Sequence, residues 1–135
     1  MTFLDTNILL YTISHGSTDQ AKVEKARKIL RRDDLALSVQ VLQEFYVQAT
    51  RPTRTQPLSH GDATALISLW LRFTVVDISV SVMQTALYLK NRYQISYWDA
   101  AILAAATSIG CTELLSEDIN PGQAYDAVHV IDPFL

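Results

Sequence analysis

Apolar and polar positions along the 135-residue chain alternate between two periods. Short apolar runs at residues 2–4, 35–38 (Leu-Ala-Leu-Ser), 74–79, 112–116 and 128–132 predict strands. Between them, apolar residues recur at helical spacing. Residues 19–32 predict a cation-rich helix with Val23, Ala26 and Leu30 on one face, and residues 39–50 a second, with Val41, Phe45 and Ala49 inward. Arg51-Pro52 ends that helix, and Pro52 and Pro57 make 51–58 a loop. Ser59 is placed to cap a helix running to about Arg72, with Leu66, Ile67 and Trp70 inward. Ser81 is placed to cap a helix to about Arg92, and Ser96 one that Gly110 stops. The helix after Ser96 is apolar almost all round, which predicts burial.

Strands separated by helices imply parallel pairing through right-handed crossovers. The expectation is an α/β fold, a three-layer sandwich with a mostly parallel central sheet. No repeat, low-complexity tract or Gly/Ser linker divides the chain, so residues 1–135 read as a single domain. Open parallel sheets bind ligands beyond the carboxyl ends of their strands. The polar residues just after each strand are therefore the first candidates for function.

Composition narrows the class. Apolar residues make up 49% and charged residues 19%, the balance of a globular domain rather than a disordered chain. Cys111 is the one cysteine, so no intramolecular disulfide can form, which fits a reducing compartment. No uninterrupted apolar stretch reaches the roughly 18 residues of a membrane span. The opening Met1-Thr2-Phe3-Leu4-Asp5 lacks a basic region followed by an apolar one, so no signal peptide is expected and a cytoplasmic location is. Net charge is −3, but all 11 Lys and Arg lie at or before Arg92. After it come only acids: Asp99, Glu113, Glu117, Asp118, Asp126 and Asp132. That balance argues against coating nucleic acid by charge alone. It is compatible with an acidic centre that holds a cation.

Four acids are candidates for such a centre. Asp5 follows the first strand, and Asp118 follows the strand at 112–116. Asp99 lies in the first turn of the buried helix, and Glu44 stands at the edge of the inward stripe on the helix after the second strand. Each has a structural reading of its own. Asp5 can cap the next segment, Ser96-x-x-Asp99 matches a capping box with Asp in place of Glu, Glu44 can be a solvated helix residue, and Asp118 sits in a turn-rich stretch. Taken together they demand more. Two like charges about 4 Å apart repel by about 4 kcal/mol at an intermediate effective dielectric, so a cluster takes up protons or binds a cation. Hard divalent cations prefer such oxygen ligands.

These residues also sit in recognisable strings. Phe-Leu-Asp-Thr-Asn-Ile-Leu-Leu-Tyr (3–11) resembles the opening of a PIN domain, and Ser-Val-Gln-Val-Leu-Gln-Glu-Phe-Tyr (38–46) its second motif. Ser-Tyr-Trp-Asp-Ala-Ala-Ile-Leu-Ala-Ala-Ala (96–106) resembles the third, and Leu-Leu-Ser-Glu-Asp (114–118) the fourth. The matches fall in family order along nearly the whole chain. The resemblance implies a PIN-like fold and a Mg2+- or Mn2+-dependent endoribonuclease. Small stand-alone proteins of this kind are VapC-like toxins paired with a VapB-like antitoxin, often as homodimers. It carries the roles of catalytic and metal-site acids to Asp5, Glu44, Asp99 and Asp118, and supporting polar roles to Asn7 and Ser116. Ser-Glu-Asp offers both Glu117 and Asp118 as the fourth acid; alignment favours Asp118.

RNA needs cations outside an acidic centre. Lys22, Lys25, Lys28, Arg31 and Arg32 crowd the first predicted helix, Arg51 and Arg54 lie in a loop, and Tyr11, Tyr46, Tyr97 and Trp98 are candidates to stack unpaired bases. The same residues also read as a solvated helix face and as core packing. The rival reading is a non-catalytic or phosphorylation-dependent receiver-like module with Asp77 as its acceptor. Such a site wants paired acids early and a lysine late, but Thr6 and Asn7 follow Asp5, and no Lys follows Lys90. A phosphatase with an aspartate nucleophile wants a second Asp where Asn7 stands. His15, His60 and His129 show no zinc-ligand spacing.

Overall fold

The structure, a computed structural model, describes residues 1–15 and 19–135. Its elements run β1 (Thr2–Leu4), α1 (Thr6–Tyr11), α2 (Gln20–Ile29), β2 (Leu35–Ser38), α3 (Val39–Ala49), α4 (His60–Trp70), β3 (Thr74–Val76), α5 (Val80–Tyr93), α6 (Tyr97–Ser108), β4 (Glu113–Leu115), β5 (Ala124–Tyr125) and β6 (Val128–Ile131). One six-stranded sheet has the order β3-β2-β1-β4-β6-β5. All pairings are parallel except the β5–β6 hairpin. Phe3 of β1 stands between Ala36 of β2 and Leu114 of β4.

β1 and β2 are buried at every position, which requires cover on both faces of the sheet and hence three layers. One helical group is built from α1, packed on α2 and α3, with α4 against α3. The other is α6, laid along β2, β4 and β6 with α5 outside it. The seven consecutive residues Ala100–Ala106 of α6 are all buried, and five of them are alanines, so the helix can approach the strands closely. Phe45 and Trp70 meet edge to face, centroids 4.7 Å apart, joining α3 to the end of α4.

Sequence patterning anticipates most of these elements. Val23 and Ala26 are buried on α2, with Leu30 buried just past its end. Val41, Phe45 and Ala49 are buried on α3. Ser59 and Ser96 cap their helices through N–H groups of Asp62 and Asp99, both at 3.1 Å. The expected strand at 74–79 is shorter, because Ser79 rather than Ser81 caps α5: its hydroxyl accepts the N–H of Val82 at 3.1 Å. Two elements lie outside the sequence expectation. α1 is six residues long and starts directly after a strand, and β5 has two residues, both too short for a periodic signal. Among the described residues, no helix is long and apolar enough to cross a membrane.

The winding direction positions the site. From β1 the chain moves outward to β2 and β3, then returns through α5 and α6 to the other side of β1 for β4. The connections leaving β1 and β4 diverge, which opens a crevice at their carboxyl ends.

α5 ends at Gln94, in the left-handed conformation at φ 54° and ψ 42°. A non-glycine residue there costs about 1–2 kcal/mol, part of which glycine would give back as unfolded-chain entropy. Gln94→Gly is therefore expected to stabilise the protein by about 0.5–1 kcal/mol, read as a higher midpoint in urea denaturation; an unchanged or lower midpoint contradicts this.

Candidate active site

Asp5 leaves β1 at the crevice, where its N–H donates to the Leu115 carbonyl of β4 at 3.0 Å. It caps α1, accepting the Thr6 N–H on Oδ1 at 2.7 Å. The expected cap is thus formed through one oxygen and leaves the other for a different partner. Its other oxygen, Oδ2, accepts the Ser116 hydroxyl at 2.6 Å. Ser116, fully buried beyond β4, in turn accepts the N–H groups of Asp118 and Ile119, both at 3.1 Å. One serine thus fixes both the Asp5 carboxylate and the turn that carries Asp118.

Glu44 faces the same crevice from α3, half-buried rather than solvated. Thr6 Oγ1 donates to its Oε2 at 3.2 Å and Gln40 Nε2 to its Oε1 at 2.7 Å. Asp99 sits half-buried in the first turn of α6 beside its cap Ser96, and Asp118 is exposed at the rim. Burial raises the Asp5 pKa to about 6 against the pull of its Ser116 and Thr6 hydrogen bonds, and the charges of Asp118 and Glu44 push it the same way. Burial also raises Asp99, opposed by Ser96 and assisted by the charge of Asp118. Glu44, Asp5, Asp118 and Asp99 therefore form a chain of electrostatic neighbours along one edge of the sheet.

Glu117 points elsewhere. Lys22 Nζ donates to its Oε2 at 2.9 Å, and the Tyr11 hydroxyl donates to its Oε1. Burial opposes ionisation of Glu117, but those two bonds hold its pKa below the usual range. The helix expected over 19–32 ends at Ile29; of its expected cations Lys22 stands beside this turn, while Arg32, past the helix end, pairs with Asp34 at 2.6 Å and bonds Thr2 at the opposite end of β1. Lys25, Lys28 and Arg31 are exposed. Tyr46 bonds His60 at 2.9 Å, whereas Trp98 is 65% exposed next to Asp99 and touches the Tyr97 ring edge-on. Asp77, the acceptor of a receiver reading, is exposed beyond the edge strand β3, two strands away from the crevice.

Among the described residues, no three His, Cys, Asp or Glu side chains converge tightly enough to form a complete ligand set. A hard divalent cation does not require one, since Mg2+ is commonly held by one or two carboxylates with water filling its octahedron. The residues here fit such an ion. Every donor at the crevice is oxygen, Asp5 is a buried carboxylate surrounded by like charge, and both polar atoms of the Asn7 amide on α1 are buried without a partner. Thr6 and Gln40, which hold the Glu44 carboxylate, are contacts that sequence reasoning missed. The four-residue spacing of Gln40 and Glu44 on one helix face was the available signal.

The shift at Asp5 has a sign. Between pH 3.8 and about 6 the folded chain keeps a proton that the unfolded chain has released, so stability falls as pH rises through that window. The full cost above it is about 3 kcal/mol. In EDTA, the unfolding free energy of the wild type is expected to drop between pH 4 and 6.5, and Asp5→Asn to flatten that drop. Equal slopes for the two proteins in urea titrations would contradict the assignment.

The PIN domain family model matches residues 2–126. Solved structures similar to this chain include a toxin–antitoxin complex from Klebsiella pneumoniae, at 21% identity and TM-score 0.73, covering 98% of each chain. Another is the Mycobacterium tuberculosis toxin VapC20, described as cleaving the sarcin-ricin loop, at 18% identity and TM-score 0.68, covering 87% of this chain and 92% of that one. A third is DNA-bound VapBC from Salmonella typhimurium, at 17% identity and TM-score 0.70, covering 98% of this chain and 97% of that one. At these identities the likeness is one of fold. The comparison with curated proteins yields no significant match. With the family matched from the first strand to the hairpin turn before the last, and a parallel sheet whose crevice gathers acids from all four motifs, the chain belongs to the PIN domain family.

Proposed function

We propose that the chain is a Mg2+- or Mn2+-dependent endoribonuclease acting as the toxin of a toxin–antitoxin pair. The observation that carries this reading is the buried Asp5 carboxylate, held at the switch point of the sheet and raised toward neutrality by burial and by Asp118 and Glu44. A group kept in that state has a use for a cation. Asp5 and Asp99 would hold the ion, directly or through water, and Glu44 and Asp118 would complete the charge around it. When bound, the ion supplies compensation for the charge that builds on the phosphodiester and eases deprotonation of the attacking water.

The chain's own residues have defined tasks in this scheme. Ser116 and the Thr6 N–H hold Asp5 in one orientation. Glu44 and Asp118 orient the attacking water, and Asn7, whose amide is buried without a partner, is a supporting polar residue of the site. Glu117, engaged by Lys22 and Tyr11, is left out, which favours Asp118 as the fourth acid. In-line attack of water on phosphorus breaks the bond to the 3′ oxygen, which takes up a proton, and leaves a 5′-phosphate and a 3′-hydroxyl.

Partners follow by likeness. VapBC and toxin–antitoxin assemblies are among the similar structures, so a VapB-like antitoxin is the proposed protein partner. In VapC-like proteins the acidic pocket can receive an antitoxin arginine, which the charge of this crevice suits. A homodimer is proposed through α5, where Val80, Met83 and Leu87 form an exposed apolar stripe at i, i+3 and i+7. The cytoplasm is the proposed location.

Cleavage of single-stranded RNA is expected to stop in EDTA and return with Mg2+ or Mn2+. Asp5→Asn and Asp99→Asn are expected to lower the rate by at least about 100-fold, since each removes a charge that holds the ion. At Mg2+ concentrations below saturation, the wild-type rate is expected to fall as pH is lowered, because protons compete with the ion for the Asp5 carboxylate. Asp5→Asn cleaving as fast as wild type would falsify the nuclease reading. Leu87→Glu is expected to halve the mass seen by light scattering; an unchanged mass places the dimer surface elsewhere.

A further inference from the structure

We infer that Gln40 is a positioning residue, a strut whose amide joins the Glu44 carboxylate to the start of the helix that carries Asp99. The inference rests on the nuclease reading and names a residue that none of the family motifs singles out. Gln40 Nε2 donates to Glu44 Oε1 at 2.7 Å and to the Trp98 carbonyl oxygen at 3.2 Å. The first bond stays within α3, and the second crosses to the first turn of α6, one residue before Asp99. Thr6 Oγ1, one residue after Asp5, holds the other Glu44 oxygen at 3.2 Å. Glu44 is thus gripped from α1 on one side and through Gln40 from α6 on the other.

The chemistry requires an amide at this position. An NH2 group has two donors, enough for a carboxylate and a carbonyl at once. Glutamate in its place has no donor when ionised and sets a second negative charge against Glu44. Alanine leaves Glu44 a helix-surface side chain with three rotatable bonds and one remaining partner. Ser38 seats the strut: it ends β2, is buried, and caps α3 by accepting the Val41 N–H at 3.3 Å, which places Gln40 in the first turn. Partners that orient metal-site carboxylates typically affect affinity by about 10- to 100-fold.

Mn2+ binding to the RNA-free protein, followed by electron paramagnetic resonance, is the test, alongside cleavage kinetics against Mg2+ concentration. Gln40→Ala is expected to weaken Mn2+ binding by about 10-fold and Gln40→Glu by about 100-fold. The Mg2+ concentration needed for half-maximal cleavage should move by the same factors, with the melting temperature in EDTA within a few degrees of wild type. Gln48→Ala, which removes an amide elsewhere on α3, should change none of these. Unchanged Mn2+ affinity in both Gln40 variants overturns the inference, as does a loss of affinity matched by Gln48→Ala. Asp5→Asn separates the two levels. If it abolishes Mn2+ binding while the Gln40 variants do not weaken it, only the strut fails. If it too binds Mn2+ and cleaves normally, the nuclease reading fails.

Discussion

A carboxylate held out of water without a cation is the constraint around which this structure is arranged. Asp5 is 5% exposed, and its two oxygens are met by one backbone N–H and one hydroxyl. Burying a charge without a counterion is costly, and the usual remedy is an ion pair. The three ion pairs among the described residues, Lys22–Glu117, Arg32–Asp34 and Arg92–Asp126, all leave Asp5 aside. Two further acids add to the cost. Capping α1 and the bond from Ser116 offset part of that cost, but neither answers the two neighbouring acids, which a neutralising ligand would.

The polar contacts around Asp5 serve orientation and satisfaction together. Ser116 gives its single proton to Asp5 and its lone pairs to two backbone N–H groups, so the β4 turn and the β1 terminus cannot move independently. Thr6 bonds both outward to Glu44 and, through its N–H, back to Asp5. Two of the candidate acids also stand at helix starts: the Asp5 carboxylate caps α1, and Asp99 lies in the first turn of α6, its N–H taken by Ser96. A helix N-terminus offers partial positive charge, which suits an acid that must remain near the surface of a cation site.

Much of this was legible along the chain. One-sided apolar spacing marks α2 and α3, an almost uniformly apolar run marks α6, and serines mark the starts of α4 and α6. The acids Asp5, Glu44, Asp99 and Asp118 stand at motif positions; Asp5 feels the charges of Asp118 and Glu44, and Asp99 that of Asp118. The misses share a cause. α1 and β5 span fewer than two full periods of their pattern, too few for a repeat to show. The cap of α5 is Ser79 rather than Ser81; both serines satisfy the local preference, and the sequence pattern does not choose between them.

The sequence by itself determined the alternation of strand and helix and the burial of α6, because these depend on local period and residue type, and it put forward the candidate acids through the motif strings they occupy. Tertiary structure alone decided that β4 returns beside β1, that Glu117 turns to Lys22 while Asp118 stays with the acids, and that Gln40 bridges two helices. The reason is physical: burial, electrostatic coupling and hydrogen bonds between residues 58 or 111 positions apart depend on where the chain brings them in space, and no local pattern encodes that distance.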